Sequence, residues 1–449
     1  MDNNKAHRSI DLKGAAALCI ALAALCAGTP AAQNGFNLPY SQFGIGISEV
    51  PFNMPVASRM GGAVYTRTGN NTLNPLNPAS YGGIEPESFV FDMGLNIQLA
   101  TATEAGRSQH DADGNLGYLA VGFPLTRWWK VAAGLMPYST VDYMSVAQGS
   151  GMKTTYDGTG GINELFVGSA FNLVASPRQR LQAGFNVNYL AGSIERAITY
   201  ASTDTTLHSL NSRKQKDTRV SNVVFDLGLQ YSHALNEHYT LAIGLTYKPY
   251  RDMSVSETAL IYTYASSTSS EVLLDTVFPA RGEAPEIESR IEQPHTFGLG
   301  LSLERNGLWQ VAADATFAGW QGLRITEDAS HQVFGNNALG EGPFSRYALG
   351  FEKKVHMDAP NYWGRIGWSL GGHADCGVMY LDLGSGSRRI DQWGIGAGAS
   401  LPMRKGKSLL TISVGYNSLG STDLLQYSTL TFGIAVSSCE RWFAKRKYN

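Results

Sequence analysis

The chain has 449 residues, 43% of them hydrophobic and 16% charged, with a formal net charge of -2. That balance argues against a nucleic-acid binder, which would carry a basic excess, and four cysteines are too few for a disulfide-stapled secreted scaffold. The length suits two or three soluble domains or one large closed sheet, and the abundance of Gly and Tyr beside so few charges favours the sheet.

The first element is a leader. Lys5, Arg8 and Lys13 precede an almost unbroken apolar run from Gly14 to Gly28, and Thr29-Pro30-Ala31-Ala32 supplies small residues for cleavage. Residues 1–32 are therefore predicted to be a secretory signal peptide. Cys26 invites a lipoprotein reading, but Leu25 is a poor residue immediately before a lipidated cysteine. Cleavage leaves Cys376 and Cys439, whose pairing is not expected. Residues 33–87 hold Pro39, Pro51, Pro55, Pro75, Pro78 and Pro86 and little alternation, so they predict irregular backbone.

From Ser88 the pattern changes. Phe89, Phe91, Met93, Leu95, Ile97 and Leu99 alternate with Val90, Asp92, Gly94, Asn96, Gln98 and Ala100. A strand sends successive side chains to opposite faces, so one face is oily and the other small or polar. The same alternation returns in 222–231, 239–248, 297–303 and 430–436. About fourteen such segments begin near residues 88, 115, 129, 162, 179, 218, 238, 290, 308, 344, 364, 390, 408 and 427, an even number as bacterial single-chain barrels require. This count takes Met253 to Ala265 as the upper part of the seventh strand.

The connections alternate in length. Turns at Thr126, Ser176, His233, Glu304 and Pro402 are tight, whereas Gly149–Gly161, Ile194–Thr218, Ser266–Glu288 and Ile325–Gly342 read as long polar loops. Short turns on one side and long loops on the other suit an outer-membrane barrel. Trp128, Trp129, Trp309, Trp320, Trp363, Trp393, Tyr138 and Tyr143 gather at strand ends, as interface girdles would. A soluble all-β protein would have to bury an apolar face from every strand while leaving Gly, Asn and Thr outside. Lipid is the simpler partner. The predicted fold is all-β, a transmembrane antiparallel barrel over 88–437, with a basic periplasmic tail at 438–449.

Several stretches resemble the FadL family of outer-membrane transporters for hydrophobic compounds. They are Arg59-Met-Gly-Gly-Ala, Leu73-Asn-Pro-Leu-Asn-Pro-Ala-Ser-Tyr and the Asp92 strand. Further stretches resemble a branch of that family without an assigned substrate: Tyr118-Leu-Ala-Val-Gly-Phe-Pro with Trp128-Trp129, Gly134-Leu-Met-Pro-Tyr-Ser, Trp393-Gly-Ile-Gly-Ala-Gly and the tail from Glu440. The resemblance implies that 33–87 form a hatch inside the barrel lumen, with Asn74, Pro75, Asn77, Pro78 and Ala79 as its motif. Asn77 can satisfy backbone groups with its side chain, and Pro78 fixes its own backbone angle; the plainer alternative is a turn ahead of a strand. The third strand carries Pro137 after Gly134. Proline donates nothing to a ladder, and in FadL-like transporters a kink in this strand opens the wall sideways, so Gly134 and Pro137 are the lateral-gate candidates. An ordinary bulge at the rim is the alternative.

Lys248, Arg346 and Arg365 fall on the polar phase of their strands and are candidates to meet a carboxylate head group. Inward charges in a barrel more often pair with inward acids, and Asp92, Asp226 and Asp314 share that phase. No cofactor, metal or catalytic constellation is expected: Gly394-Ile-Gly-Ala-Gly lies within a strand, and His373 with Asp375 lacks a nucleophile. The expected function is passive transport of a small hydrophobic, fatty-acid-like compound by a monomeric barrel in the bacterial outer membrane. The alternatives are a FadL-like adaptor of a protein secretion system, or a barrel whose loops, such as Tyr262 to Glu271, bind partners.

Overall fold

The computed structural model describes residues 38–441 apart from 49, 70–71, 105, 150, 204–210, 267–270, 279–285, 320–323, 327–341, 383–386, 404–407 and 421–423. The leader, Cys26, Trp320, the end of the tail and most of the expected loop 325–342 therefore lie outside the described residues.

Fourteen antiparallel strands close on themselves. In chain order they are β1 (Ser88–Glu104), β2 (Arg107–Pro124), β3 (Trp129–Gly149), β4 (Met152–Ala175), β5 (Gln179–Ser202), β6 (Asn211–Ala234) and β7 (Tyr239–Lys248 continued by Arg251–Ser266). There follow β8 (Glu271–Phe278, Glu286–Gln293 and Thr296–Arg305), β9 (Trp309–Ala318 with Arg324–Thr326), β10 (Phe344–Lys353), β11 (Gly367–Asp382), β12 (Ser387–Met403), β13 (Ser408–Gly420) and β14 (Gln426–Arg441). Closure is made by β14 on β1, in register from Gln426 with Thr103 to Arg441 with Ser88. Arg251–Ser266 pairs with β6 and with Glu286–Gln293, so it extends the seventh strand as its sequence suggested.

The oily face points outward. Leu95, Ile97 and Leu99 on β1, Val223, Phe225, Leu227 and Leu229 on β6, Phe297, Leu299, Leu301 and Leu303 on β8 and Phe432 with Ile434 on β14 are all exposed, while Val90, Asp92, Asn96 and Ala100 are buried on the inner face. Large apolar side chains left outside on nearly every strand make a continuous apolar band, and in water such a surface would aggregate. A lipid bilayer accepts it. Trp128, Trp129 and Phe171 stack on one another at one edge of the band, with Trp363 and Trp368 exposed near the same rim. Tyr138 and Tyr143 do not belong to a girdle: both turn inward and pack in an apolar cluster with Ile45, Val141 and Ile162.

Strand lengths differ sharply. Ten residues suffice for β9 (Trp309–Ala318) and β10, close to what a tilted spanning strand needs. By contrast β3 has 21 residues and β4, β5 and β6 have 24 each. Where they are described, the expected loops at 149–161, 194–218 and 266–288 are mostly strand. Beyond the bilayer the outer face has no lipid to meet, so its alternation lapses although the ladder continues. The last strand likewise runs to Arg441, four residues into the expected tail. Cys376 and Cys439 are not joined in a disulfide.

Residues 38–87 lie against the inner wall. Leu38 N–H donates to Asp142 O, and Ile47–Ser48 pairs with Thr140 and Ser139 of β3. Lower down, Val64 and Tyr65 N–H donate to Asp314 Oδ2 on β9 at 2.6 and 2.7 Å, and Leu73 N–H donates to Asp92 Oδ2 on β1 at 3.0 Å. Arg59 donates to Glu352 on β10 and to Ser369 on β11. The segment is thus tied to strands on opposite sides of the barrel. Its motif is not wholly irregular: Pro78–Gly83 is a 3-10 helix, with Asn77 Oδ1 accepting from Ala79 N–H and Pro78 at the first helical position. Asn77 Nδ2 also donates to Tyr65 O at 2.7 Å, Asn74 Nδ2 donates to Val64 O at 2.8 Å, and Pro75 O accepts from Asn186 of β5 at 3.0 Å.

The wall makes room for this motif with glycine. A Cβ at Gly228 of β6 would strike Asn77 Oδ1 and Pro78 Cδ, and one at Gly184 of β5 would strike the Pro78 backbone. Gly228→Val is expected to cost about 1–3 kcal/mol through overpacking, read as a lower urea midpoint for refolding into vesicles. Valine at exposed Leu227 next door should leave that midpoint nearly unchanged.

Candidate functional site

Between the lumenal segment and the far ends of the strands lies a cavity of about 220 Å³. Phe43, Ile45, Ile47, Leu76, Met136 and Tyr138 give it an apolar side, and Glu164, Asp226, Lys248, Asp314 and Arg346 give it a charged end. Two apolar clusters border it: one joins Ile45 to Val141, Leu190, Val220 and Met253, the other joins Leu38 and Tyr40 to Met379, Ile390 and Tyr427. Among the described residues no group of His, Cys, Asp and Glu could hold a metal.

The cavity meets a split in the wall. β2 and β3 pair only from Pro124 with Lys130 to Leu119 with Leu135. Past that point β2 stays on β1 as far as Arg107, and β3 stays on β4 as far as Gly149. Pro137 stands two residues beyond the last β2–β3 pair, at a register shift between Pro137 and Ser139 on the β4 side. Gly134 lies just inside the paired region, where a Cβ would meet the Leu119 carbonyl and the Phe166 ring. Both predicted gate positions thus flank the place where the strands part, and Met136, Tyr138 and Ser139 line the cavity there.

One residue at the split gave no signal in the sequence. Asn53 is buried; its Nδ2 donates to Pro137 O at 3.2 Å, and its own carbonyl accepts from Asn96 Nδ2 of β1 at 2.6 Å. It bridges β1 and β3 where β2 leaves, and Gly117 lacks a Cβ where the Asn53 carbonyl passes. Within Pro51-Phe-Asn-Met-Pro55 no spacing marks an asparagine as a bridge; only the fold brings Asn96 and Pro137 to it. Asn53→Ala is expected to leave the barrel folded while raising hydrogen exchange of Met136 to Val141 by about tenfold, as the loss of about 1–1.5 kcal/mol of hydrogen bonding would. Unchanged exchange there would remove Asn53 from the bridge.

The three charged candidates separate. Lys248 Nζ lies 3.3 Å from Asp226 Oδ1. Arg346 makes a two-point pair with Asp375, Nε to Oδ1 at 2.8 Å and Nη2 to Oδ2 at 2.7 Å, and its guanidinium lies 4.9 Å from the Phe52 ring centroid. Both line the cavity but are engaged by acids, as inward charges in barrels usually are. Arg365 is a correction: it sits in the short helix Tyr362–Arg365 between β10 and β11, with Nε donating to Ala359 O. Its strand begins at Gly367, because residues 354–366 form a longer turn than alternation suggested. The inward acids Asp92 and Asp314 hold the lumenal segment instead of facing a ligand alone.

The BamG family model matches residues 15–449. The chain belongs to the BamG family. This BamG-family barrel also has solved structural relatives. It is similar to the toluene transporter TodX of Pseudomonas putida, with 15% identity, TM-score 0.53, covering 87% of this chain and 98% of that one. It is similar to a FadL homologue of Pseudomonas aeruginosa, with 12% identity, TM-score 0.56 and coverage of 88% and 100%. A third is the monoaromatic hydrocarbon channel CymD, with 12% identity, TM-score 0.52 and coverage of 89% and 99%. At these identities the likeness is one of fold, the FadL-type barrel. No curated protein matches the sequence significantly.

Proposed function

We propose that this BamG-family barrel is a passive outer-membrane channel for small hydrophobic compounds, which leave sideways between β2 and β3. The observation that carries this is the junction of an apolar-lined cavity with a split in the wall at Pro137. A lipophilic solute gains by staying out of water, roughly 25 cal/mol per Å² of apolar surface, so a lateral route into the bilayer suits it better than an aqueous exit. Residues 38–87 then act as a hatch, and the rim bearing Ser88 and Arg441 faces the periplasm. The fold relatives named a toluene transporter and a monoaromatic hydrocarbon channel support this class of solute.

The test is uptake of an apolar fluorescent naphthylamine by cells that do or do not produce the protein. Faster uptake with the protein supports the channel; equal rates at matched expression would sink it.

A second reading is favoured by the tall wall of β3 to β6, where Met144, Val146, Met152 and Tyr156 are exposed beyond the apolar band. Such a surface suits a partner protein, as in an adaptor. Co-purification of one defined partner, lost when these four residues become serine, would favour it.

A further inference from the structure

The charged end of the cavity is unbalanced. Glu164, Asp226 and Asp314 line it, with Asp375 behind Arg346, against the two cations Lys248 and Arg346. Both cations already have carboxylate partners. Asp226 also accepts from Asn188 Nδ2 at 2.8 Å, and Asp314 accepts two backbone N–H groups. Asp226 and Asp314 thus have donors on one oxygen, although the Oδ1 of each lacks a hydrogen-bond partner, whereas Glu164 accepts no hydrogen bond among the described residues. It is 1% exposed, it lines the cavity, and its Oε1 has no hydrogen-bond partner. A buried acceptor left without a donor is costly, more so when it is charged. The neighbouring wall supplies none, since Glu164 stands in register with Met136 on β3 and Leu190 on β5.

We propose that the cavity selects small amphiphiles with a cationic, hydrogen-bond-donating head, such as an alkylammonium, seated on Glu164 with the hydrocarbon along Met136 and Tyr138. This rests on the channel reading and names its solute class. A carboxylate head would meet three acidic side chains and two cations already engaged, and a carboxylate beside further acids in a low-dielectric site is disfavoured. The fatty-acid-like solute suggested by the family resemblance is therefore disfavoured by this chain's own residues.

The test is calorimetric titration of the purified full chain in detergent with hexylammonium, hexan-1-ol and hexanoate at neutral pH. Hexylammonium is expected to bind at least about tenfold more tightly than hexanoate, with hexanol between them. Glu164→Gln is expected to weaken hexylammonium about tenfold while leaving hexanol within about twofold. Hexanoate binding as tightly as hexylammonium, or an unchanged hexylammonium affinity in Glu164→Gln, overturns the head-group assignment while hexanol binding keeps the channel reading. Failure of all three probes to bind overturns both. Should Glu164→Gln fail to migrate as a folded, heat-modifiable barrel, Asp226→Asn decides. By freeing Lys248 it is expected to raise hexanoate affinity, and no rise overturns the assignment.

Discussion

Glu352→Ala is expected to loosen residues 38–87 from the wall while leaving the fourteen strands closed. Arg59 is among the most buried side chains in the molecule, and its Nη2 donates to Glu352 Oε1 at 2.6 Å, while Arg67 Nη1 reaches Oε2 at 3.2 Å. Removing the carboxylate strands one fully buried guanidinium and one partly buried one. Stranding a buried charge costs about 3–5 kcal/mol. The ladders of β9, β10 and β11 do not depend on that side chain, so the cost falls on the docking of the segment. Limited proteolysis of the refolded protein should then cut within residues 50–87, and single-channel conductance should rise. The paired change Arg59→Met with Glu352→Leu should recover part of the loss, because the fully buried guanidinium then goes with its carboxylate and only the partly buried Arg67 loses its partner. Wild-type protease resistance in Glu352→Ala would show that the pair does not hold the segment.

Pro137→Ala is expected to slow solute flux by narrowing the split between β2 and β3. β2 and β3 stop pairing at Leu119 and Leu135, and Pro137 carries no amide hydrogen with which β3 could continue. Alanine restores a donor, and each added ladder bond contributes about 1 kcal/mol. One such bond would lower the population of the open wall by roughly fivefold. Uptake of the fluorescent naphthylamine should fall accordingly, with expression and heat-modifiable migration unchanged. Uptake equal to that of the wild type would mean that Pro137 is a rim bulge without a role in exit. Gly134→Leu makes a contrasting arm: a side chain there collides with the Leu119 carbonyl and Phe166, so it should impair folding itself, and not flux alone.

The barrel was legible in the sequence because lipid imposes one rule on every strand that crosses it. Outward positions must be apolar, so a period of two survives from Phe89 to Val436, and the count of fourteen follows. Where that rule lapses, legibility lapses too. The upper halves of β4, β5 and β6 read as loops because nothing outside them demanded an oily face. The turn carrying Arg365 was absorbed into a strand for the converse reason, that a few polar residues can mimic the inner phase.

The sequence by itself determined which strand face is oily, how many strands close, and that the described residues 38–87 would hold no long strand or helix. Alternation and proline content are local properties, so they are written in consecutive residues. Only the tertiary structure decided what the inner residues do. Asp92 and Asp314 bind backbone of the lumenal segment, Lys248 and Arg346 are claimed by Asp226 and Asp375, Asn53 bridges β1 and β3, and Glu164 keeps a buried oxygen without a hydrogen-bond donor. Those outcomes depend on partners tens to hundreds of residues away. Ring closure and strand register bring them together, and neither is encoded in any short stretch of chain.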